Sequence, residues 1–367
     1  MRTEELEKIA KRRRLDLVLV ADQANIRALT GINCDNAILV SRLPSPVLYT
    51  DFRYIPMVHR VAPKLNCRDI RNLGKREKGR GKRIGYESSI SHARFLEWQK
   101  KFPKAKFVDI SKDLAAIRAV KTQDEIAALR AAEKLNCEIW ETARGRFKAG
   151  MTERQMARII QKLMIEKGEG EAFDTIVCVG KNAAECHHEP DDTVWIGREP
   201  ILVDMGVKLG GVCSDLTRNL VPSRKGEDKK VKVNKGVHHR SPSPLTFTSS
   251  YASPLYRKVY QLVLQANLAA IAAAKPGMTG KALDKVARDV IKKGGFGKCF
   301  GHSLGHGGGY AIHEAPYAAR KGKMVLKPGM LVTIEPGIYL EDNLGVRIED
   351  LVLITETGCE VLSNCEK

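Results

Sequence analysis

Four carboxylates stand inside apolar runs that otherwise read as buried β-strands: Asp204 in ILVDMG, Asp215 in VCSDLTRNL, Glu335 in VTIEPGIYL and Glu349 in GVRIEDLVLI. A carboxylate buried alone is prohibitively costly, so each must shift its pKa, pair with a cation or bind metal. For any one acid a nearby Arg218 or Arg347 would suffice. Four together, two in each half of this region, point instead to a shared site. Between the aspartates, MGVKLGGVCS carries Gly210 and Gly211, a turn signal that predicts a hairpin bringing Asp204 and Asp215 face to face.

A second constraint lies in GHSLGHGGGYAIHEAP, residues 301–316, which holds His302, His306 and His313. His302 and His306 have the i, i+4 spacing of two ligands on a zinc-binding helix. Gly301, Gly305, Gly307, Gly308 and Gly309 exclude that reading, because each would cost about 1 kcal/mol relative to Ala inside a helix. Extended or turning chain is expected, with glycine admitting close approach of backbone to a ligand. Two Asp, two Glu and one His form a mostly oxygen, five-ligand set, enough for two divalent ions. Such donors favour Mn²⁺, Co²⁺, Fe²⁺ or Zn²⁺ over Ca²⁺.

At 367 residues the chain is long enough for two domains. In the first 120 residues, LDLVLVA, NAILVS, PVLYTD, RIGYE and FVDI read as strands, and DFRYIPMVHRVA and SHARFLEWQKKF as helices, which predicts a small mixed α/β domain over residues 1–120. TQDEIAALRAAEKLNCEIWETARGRF opens with a Thr cap and an acidic first turn, and begins a second domain over residues 121–367. There, helices at 122–147 and 152–167 precede strands FDTIVCVG and EPILVDMG…SDLTRNLV. Helices at 253–274 and 279–293 precede MLVTIEPGIYL, VRIEDLVLIT and CEVLS. Helix-helix-strand-strand twice predicts a duplicated, pseudo-two-fold domain, and an α+β chain as a whole.

Between the halves, residues 224–250 have the Lys, Ser, Pro and Gly composition of a disordered insertion. The net charge of +19 is concentrated in this insertion and in the first 120 residues, where 26 Lys and Arg face 13 Asp and Glu. That suits attraction to nucleic acid or to acidic substrates. Against nucleic acid, Lys100, Lys101, Lys104 and Lys106 have few interleaved aromatics on which bases would stack. No apolar run approaches the ~20 residues of a membrane span. The opening MRTEELEKIAKRRRLDLVLV has acids and a basic cluster where a signal peptide has its apolar run, and nine scattered cysteines without a C-x-x-C pair suit free thiols. A cytoplasmic protein is expected.

The ordered set VDMG…SDLTR, HSLGHGGGYAIHEAP, TIEPGIY and GVRIED resembles the pita-bread metallopeptidases, in the branch of Xaa-Pro dipeptidases and Xaa-Pro aminopeptidases. NIRALTGINCDNAILV, LYTDFRY and IRAVKTQDEIAALRAA extend the resemblance over nearly the whole chain. It implies a creatinase/prolidase-like N-terminal domain and a pita-bread catalytic domain. It also implies metal ligands at Asp204, Asp215, His306, Glu335 and Glu349, holding two divalent ions. Mn²⁺ is the first expectation, with Co²⁺, Zn²⁺ and Fe²⁺ as alternatives. By the same resemblance His187, His302 and His313 line the substrate pocket, Glu335 shuttles a proton, Arg347 orients the site, and Tyr339 is a further pocket candidate. The implied substrate is a short peptide with proline at its second position, and the implied assembly a homodimer.

Cys186 departs from the family's usual Pro before His187, Cys213 lies two residues before a ligand, and residues 224–250 exceed the usual connection. A methionine-aminopeptidase-like enzyme would share the ligands but lack the N-terminal domain. Creatinase-like hydrolases would lack the metal set, and a non-enzymatic nucleic-acid- or ribosome-binding relative would have lost its ligands.

Overall fold

Short apolar runs alternating with amphipathic segments produce a six-stranded mixed sheet in the first part of the chain. The structure is a computed structural model that describes residues 2–41, 46–75, 82–222 and 251–367. The expectation of a disordered insertion at 224–250 lies outside the described residues. Strands β1 (Leu17–Val20), β2 (Ala37–Ser41), β3 (Val47–Thr50), β4 (Asn66–Asp69), β5 (Arg83–Tyr86) and β6 (Lys106–Asp109) are ordered β4-β3-β2-β1-β5-β6. The β1–β2 and β2–β3 pairs are antiparallel and the rest parallel. Alternation along each strand sends side chains to opposite faces. Val18, Val20 and Leu39 pack with α1 (Glu4–Arg13), α2 (Gln23–Thr30) and α5 (Ser111–Ala119). Leu17, Leu19, Ile38 and Tyr49 pack around Trp98 of α4 (His92–Lys101). Helix α3 (Ile55–Val61) leads into β4, whose NCRD sequence has no apolar run; it forms as an edge strand by parallel pairing with β3.

The chain divides into two compact units, Met1–Ala119 and Val120–Lys367. The second begins with α6 (Gln123–Arg144) and α7 (Glu153–Lys167), each opened by a capping box, Thr122 with Glu125 and Thr152 with Gln155. Strands β7 (Ile176–Val179), β8 (Ile201–Met205) and β11 (Leu216–Leu220) form an antiparallel sheet with β8 at its centre. The short strands β9 (Lys208–Leu209) and β10 (Val212–Cys213) form the hairpin between β8 and β11. Its turn is Gly210–Gly211, both at positive φ, 60° and 69°, as a two-residue type I′ turn needs. After α8 (Pro254–Ala273) and α9 (Gly280–Lys293) come the paired strands β12 (Gly305–Gly307) and β13 (Glu314–Ala318). Strands β14 (Leu331–Ile334), β17 (Asp350–Ile354) and β18 (Cys359–Val361) form a second three-stranded antiparallel sheet, and β15 (Gly337–Leu340) pairs with β16 (Leu344–Arg347). Each half thus supplies a helix pair and a three-stranded sheet, the duplication expected from the sequence.

One expectation needs correction. The four acids were placed on strands, but only Asp204 lies within one. Asp215 directly precedes β11, and the runs read as single strands around Glu335 and Glu349 are broken at those residues. Pro336 has no N–H to continue a ladder, so β14 stops before it. The chain then changes partner: β14 pairs with β17, and β15 with β16. The breaks place Glu335 and Glu349 where strands exchange partners. No helix among the described residues is long and apolar enough to cross a membrane.

Candidate metal centre

The hairpin and the two strand breaks bring the acids to one place. Asp204 sits mid-strand, opposite Thr217 on one side and Ile176 on the other. Asp215, His306 and Glu349 offer ligand atoms that all lie within 4.8 Å of one another. His306 Nε2 is 3.4 Å from Glu335 Oε1 and 3.7 Å from Asp215 Oδ2. The histidine stretch is extended as its glycines require. A Cβ on Gly305 would lie 1.9 Å from the Thr333 carbonyl oxygen, so only glycine lets β12 pack so tightly there.

The two arginines flanking these acids do not neutralise them all. Arg347 Nη2 donates to Asp204 Oδ2 at 2.7 Å. Arg218, fully buried, pairs instead with Asp350 at 2.9 Å and donates to the Glu349 carbonyl oxygen. Among the described residues no lysine or arginine forms an ion pair with Asp215, Glu335 or Glu349. Burial, with the neighbouring Glu349, Asp204 and Glu335, pushes the Asp215 carboxyl well above its ordinary range. Burial also raises Glu335 to about 8 and Glu349 well above its usual value. Asp204 Oδ1 is buried without a hydrogen-bond partner among the described residues. Clustered carboxylates of which three lack a basic partner among the described residues, with the unpaired Asp204 Oδ1 beside them, fit divalent cations, whose charge offsets both the repulsion and the desolvation cost. The donor set is consistent with a dinuclear metal centre.

Supporting contacts fix the ligand atoms. His306 Nδ1 donates to the Gly307 carbonyl at 3.1 Å, which leaves Nε2 unprotonated and facing the carboxylates. Thr333 Oγ1 accepts from the His306 amide and donates to Glu335 Oε1. Thr217 Oγ1 accepts from Arg347 Nε and donates to Glu349 Oε2. Glu133, on the buried face of α6, accepts the Asp215 amide at 3.1 Å and the Ser363 hydroxyl at 2.7 Å. The buried ion pair Lys121–Glu314 sits beside His313 in sequence.

The centre opens into a cavity of about 450 Å³, lined among others by His187, His302, His313, Tyr339 and Arg347. All five predicted pocket positions therefore converge on the five predicted ligands. Within the pocket their hydrogen bonding differs. Arg347 Nη1 donates to the Tyr339 hydroxyl at 2.8 Å, so that hydroxyl donates onward to His302 Nε2 at 2.9 Å. His302 Nδ1 donates to the Ser303 carbonyl at 2.8 Å. Both nitrogens of His302 are thus engaged, and burial with the Arg347 charge lowers its pKa to about 4, keeping the ring neutral. His313 is exposed and stands edge-on to His306, ring centroids 4.4 Å apart. Cys186 also lines the cavity.

A further cluster of potential ligands, Glu153, His188 and Asp191, lies nearby in sequence to His187. Its atoms are already spoken for. Glu153 accepts from the Val179 amide and Asn182 on one oxygen, and contacts His188 Nε2 (2.7 Å) and the Asp191 amide on the other. This clasp anchors the loop that carries His187 rather than presenting open coordination sites.

Sequence reasoning missed Thr217, Thr333 and Glu133. The two threonines lie two residues from Asp215 and Glu335, on the strands β11 and β14 that adjoin those acids. Glu133 falls on the buried stripe Ile126, Leu129, Asn136, Trp140 of α6, an acid at a core position.

Residues 127–356 match metallopeptidase family M24, and residues 2–120 match the creatinase/prolidase N-terminal domain. An Xaa-Pro dipeptidase of Pyrococcus furiosus is 39% identical over 219 residues, 59% of this chain and 55% of its own length. The match thus spans about half the length of that curated relative. The solved prolidase from Pyrococcus furiosus superposes with a TM-score of 0.85 at 30% identity, covering 98% of this chain and 99% of that one. An X-Pro aminopeptidase from Thermotoga maritima MSB8 superposes with a TM-score of 0.82 at 29% identity, covering 98% of each chain.

Proposed function

The chain belongs to metallopeptidase family M24, and from that premise we propose that it hydrolyses the peptide bond before proline at the N-terminus of short peptides, as an Xaa-Pro dipeptidase or aminopeptidase. The observation that carries this reading is the cluster of Asp215, Glu335 and Glu349, none with a lysine or arginine partner among the described residues, opening with Asp204 and His306 on a pocket lined by His187, His302 and His313. Asp204, Asp215, His306, Glu335 and Glu349 would hold two divalent ions, Mn²⁺ first, with Co²⁺, Zn²⁺ or Fe²⁺ as alternatives. When bound, the ions would supply a nucleophilic oxygen near neutral pH and positive charge for a developing oxyanion.

The chain's own groups do the rest. Glu335, which lines the pocket beside His306, takes up a proton and delivers it to the leaving proline nitrogen. His313, whose ring faces the pocket, donates a hydrogen bond to the oxyanion. Arg347 holds Asp204 and, through Tyr339, sets the orientation of His302. His187 lines the mouth from the loop held by the Glu153 clasp. An Xaa-Pro amide has no N–H, so a shaped pocket rather than backbone pairing would select it.

The N-terminal match over residues 2–120 supports this reading over a methionine-aminopeptidase-like one. The full ligand set supports it over a non-enzymatic nucleic-acid-binding role. We take residues 1–120 as the N-terminal domain and 121–367 as the catalytic domain. The same reading carries a homodimer in the cytoplasm. The test is a panel of Xaa-Pro and Xaa-Ala dipeptides and tripeptides incubated with Mn²⁺-loaded enzyme. Cleavage before proline is expected; cleavage of the alanine series alone would overturn the specificity.

A further inference from the structure

The hairpin that carries His306 and His313 rests on a buried ion pair. Strands β12 and β13 pair with His306 opposite Tyr317, then shift register so that Gly307 faces Glu314. The residues between, 308–313, are irregular chain with His313 at its end. Glu314 opens β13 and accepts from Lys121 Nζ, the two side chains being 1% and 4% exposed. The turn lies directly on that pair: a Cβ on Gly309 would stand 2.7 Å from Glu314 Oε1 and 2.8 Å from Lys121 Nζ. The Gly309 carbonyl also accepts from the Cys213 amide at 2.8 Å, and Tyr310 packs against the cluster of Ile126, Leu129 and Val212.

Lys121 is itself held in place. Its amide donates to the Gly329 carbonyl at 2.9 Å, and Val120 bridges Met330, directly before β14, the strand that leads to Glu335. The pair therefore ties the chain beside β14 to the first residue after His313. A buried ion pair is weak grounds for stability, since an apolar pair of similar volume often does as well. What it provides is one geometry, because moving either end away would leave a charge buried alone. The His313 ring lines the cavity, its centroid 4.4 Å from that of His306.

We propose that Lys121 is a positioning residue for peptide hydrolysis: through Glu314 it fixes the backbone at His313, so that this ring meets the oxyanion. The proposal rests on the peptidase reading and on the donor role given there to His313. Displacing a reacting group by about 1 Å can cost about 10²-fold in rate. Acting through His313, Lys121 can cost no more than His313 itself, about 10²–10³ in kcat. Once His313 is gone, loss of the ion pair should matter little.

The experiment uses the full chain, Mn²⁺-loaded, with an Xaa-Pro tripeptide. Lys121→Met removes one partner of the pair. Because that leaves a carboxylate buried without its cation, Lys121→Met/Glu314→Gln is made beside it, which removes both charges and keeps both volumes. The charge-free variant should keep its bound metal and lose about 10-fold to 10²-fold in kcat, with KM within about twofold of wild type. Added to His313→Ala, the same two substitutions should cost less than about twofold more. Losses that multiply would show that the pair acts elsewhere and would overturn the proposal. A second readout needs no turnover: ring ¹⁵N–¹H NMR of the Zn²⁺-loaded enzyme, with the His313 signal assigned by its absence from His313→Ala. That signal should move in the charge-free variant while those of His187 and His302 stay; an unmoved His313 signal would overturn the proposal. A moved signal in an enzyme whose wild type leaves Xaa-Pro peptides intact would remove the peptidase reading and leave the positioning of His313 standing.

Discussion

Arg347 engages only one oxygen of Asp204: its Nη2 lies 2.7 Å from Oδ2, while Oδ1 is buried without a hydrogen-bond partner among the described residues. The arginine thus neutralises the carboxylate in part and leaves the other oxygen for a cation. Removing one partner of a buried pair typically costs about 3–5 kcal/mol. Arg347→Ala should therefore destabilise the metal-free enzyme strongly. Saturating Mn²⁺ should recover part of that loss, because bound ions replace the missing positive charge. Urea unfolding with and without Mn²⁺ reads the difference; equal losses in both states would show that Asp204 does not face a metal.

The histidines should separate by assay. His306→Ala should bind less metal, since its Nε2 faces Asp215 and Glu335. His313→Ala should retain metal and lose about 10²–10³ in kcat, the usual worth of a transition-state donor. Metal analysis beside steady-state kinetics distinguishes these. A metal-free His313→Ala enzyme would reassign that residue as a ligand.

The His188–Glu153 clasp predicts a pH signature in stability. Burial alone would lower the His188 pKa, but the Glu153 carboxylate 2.7 Å away outweighs it and raises the value in the folded state. A group with a raised folded pKa contributes fully below its unfolded value of about 6.5, and loses that contribution as pH rises through the raised one. The melting-temperature gap between wild type and His188→Gln should therefore shrink from about pH 5.5 to about pH 9. A gap that widened over that range would contradict the protonated pairing.

Much of this architecture was legible because burial leaves periodic traces. Helix starts at Thr122 and Thr152 follow from capping chemistry, and the Gly210–Gly211 turn from the need for positive φ. Strand β4 was hidden because an edge strand such as NCRD takes its form from its neighbour rather than from its own apolar content. The breaks at Glu335 and Glu349 were hidden because an apolar run does not reveal when a strand changes partners. Within the site, acids in apolar runs are conspicuous, whereas Thr217, Thr333 and Glu133 act through hydrogen bonds that leave little mark in composition. The engagement of both His302 nitrogens depends on Tyr339 and Ser303, one distant and one adjacent in sequence.

The central claim is that hydrolysis before proline depends on two metal ions held by Asp204, Asp215, His306, Glu335 and Glu349. The most direct measurement strips the enzyme with a chelator, titrates Mn²⁺ back while counting bound metal, and follows cleavage of an Xaa-Pro peptide. The account predicts no turnover at zero metal, recovery that saturates as two ions are bound per chain, and no recovery in Asp215→Asn. Full turnover by the stripped enzyme, or wild-type recovery in Asp215→Asn, would contradict it.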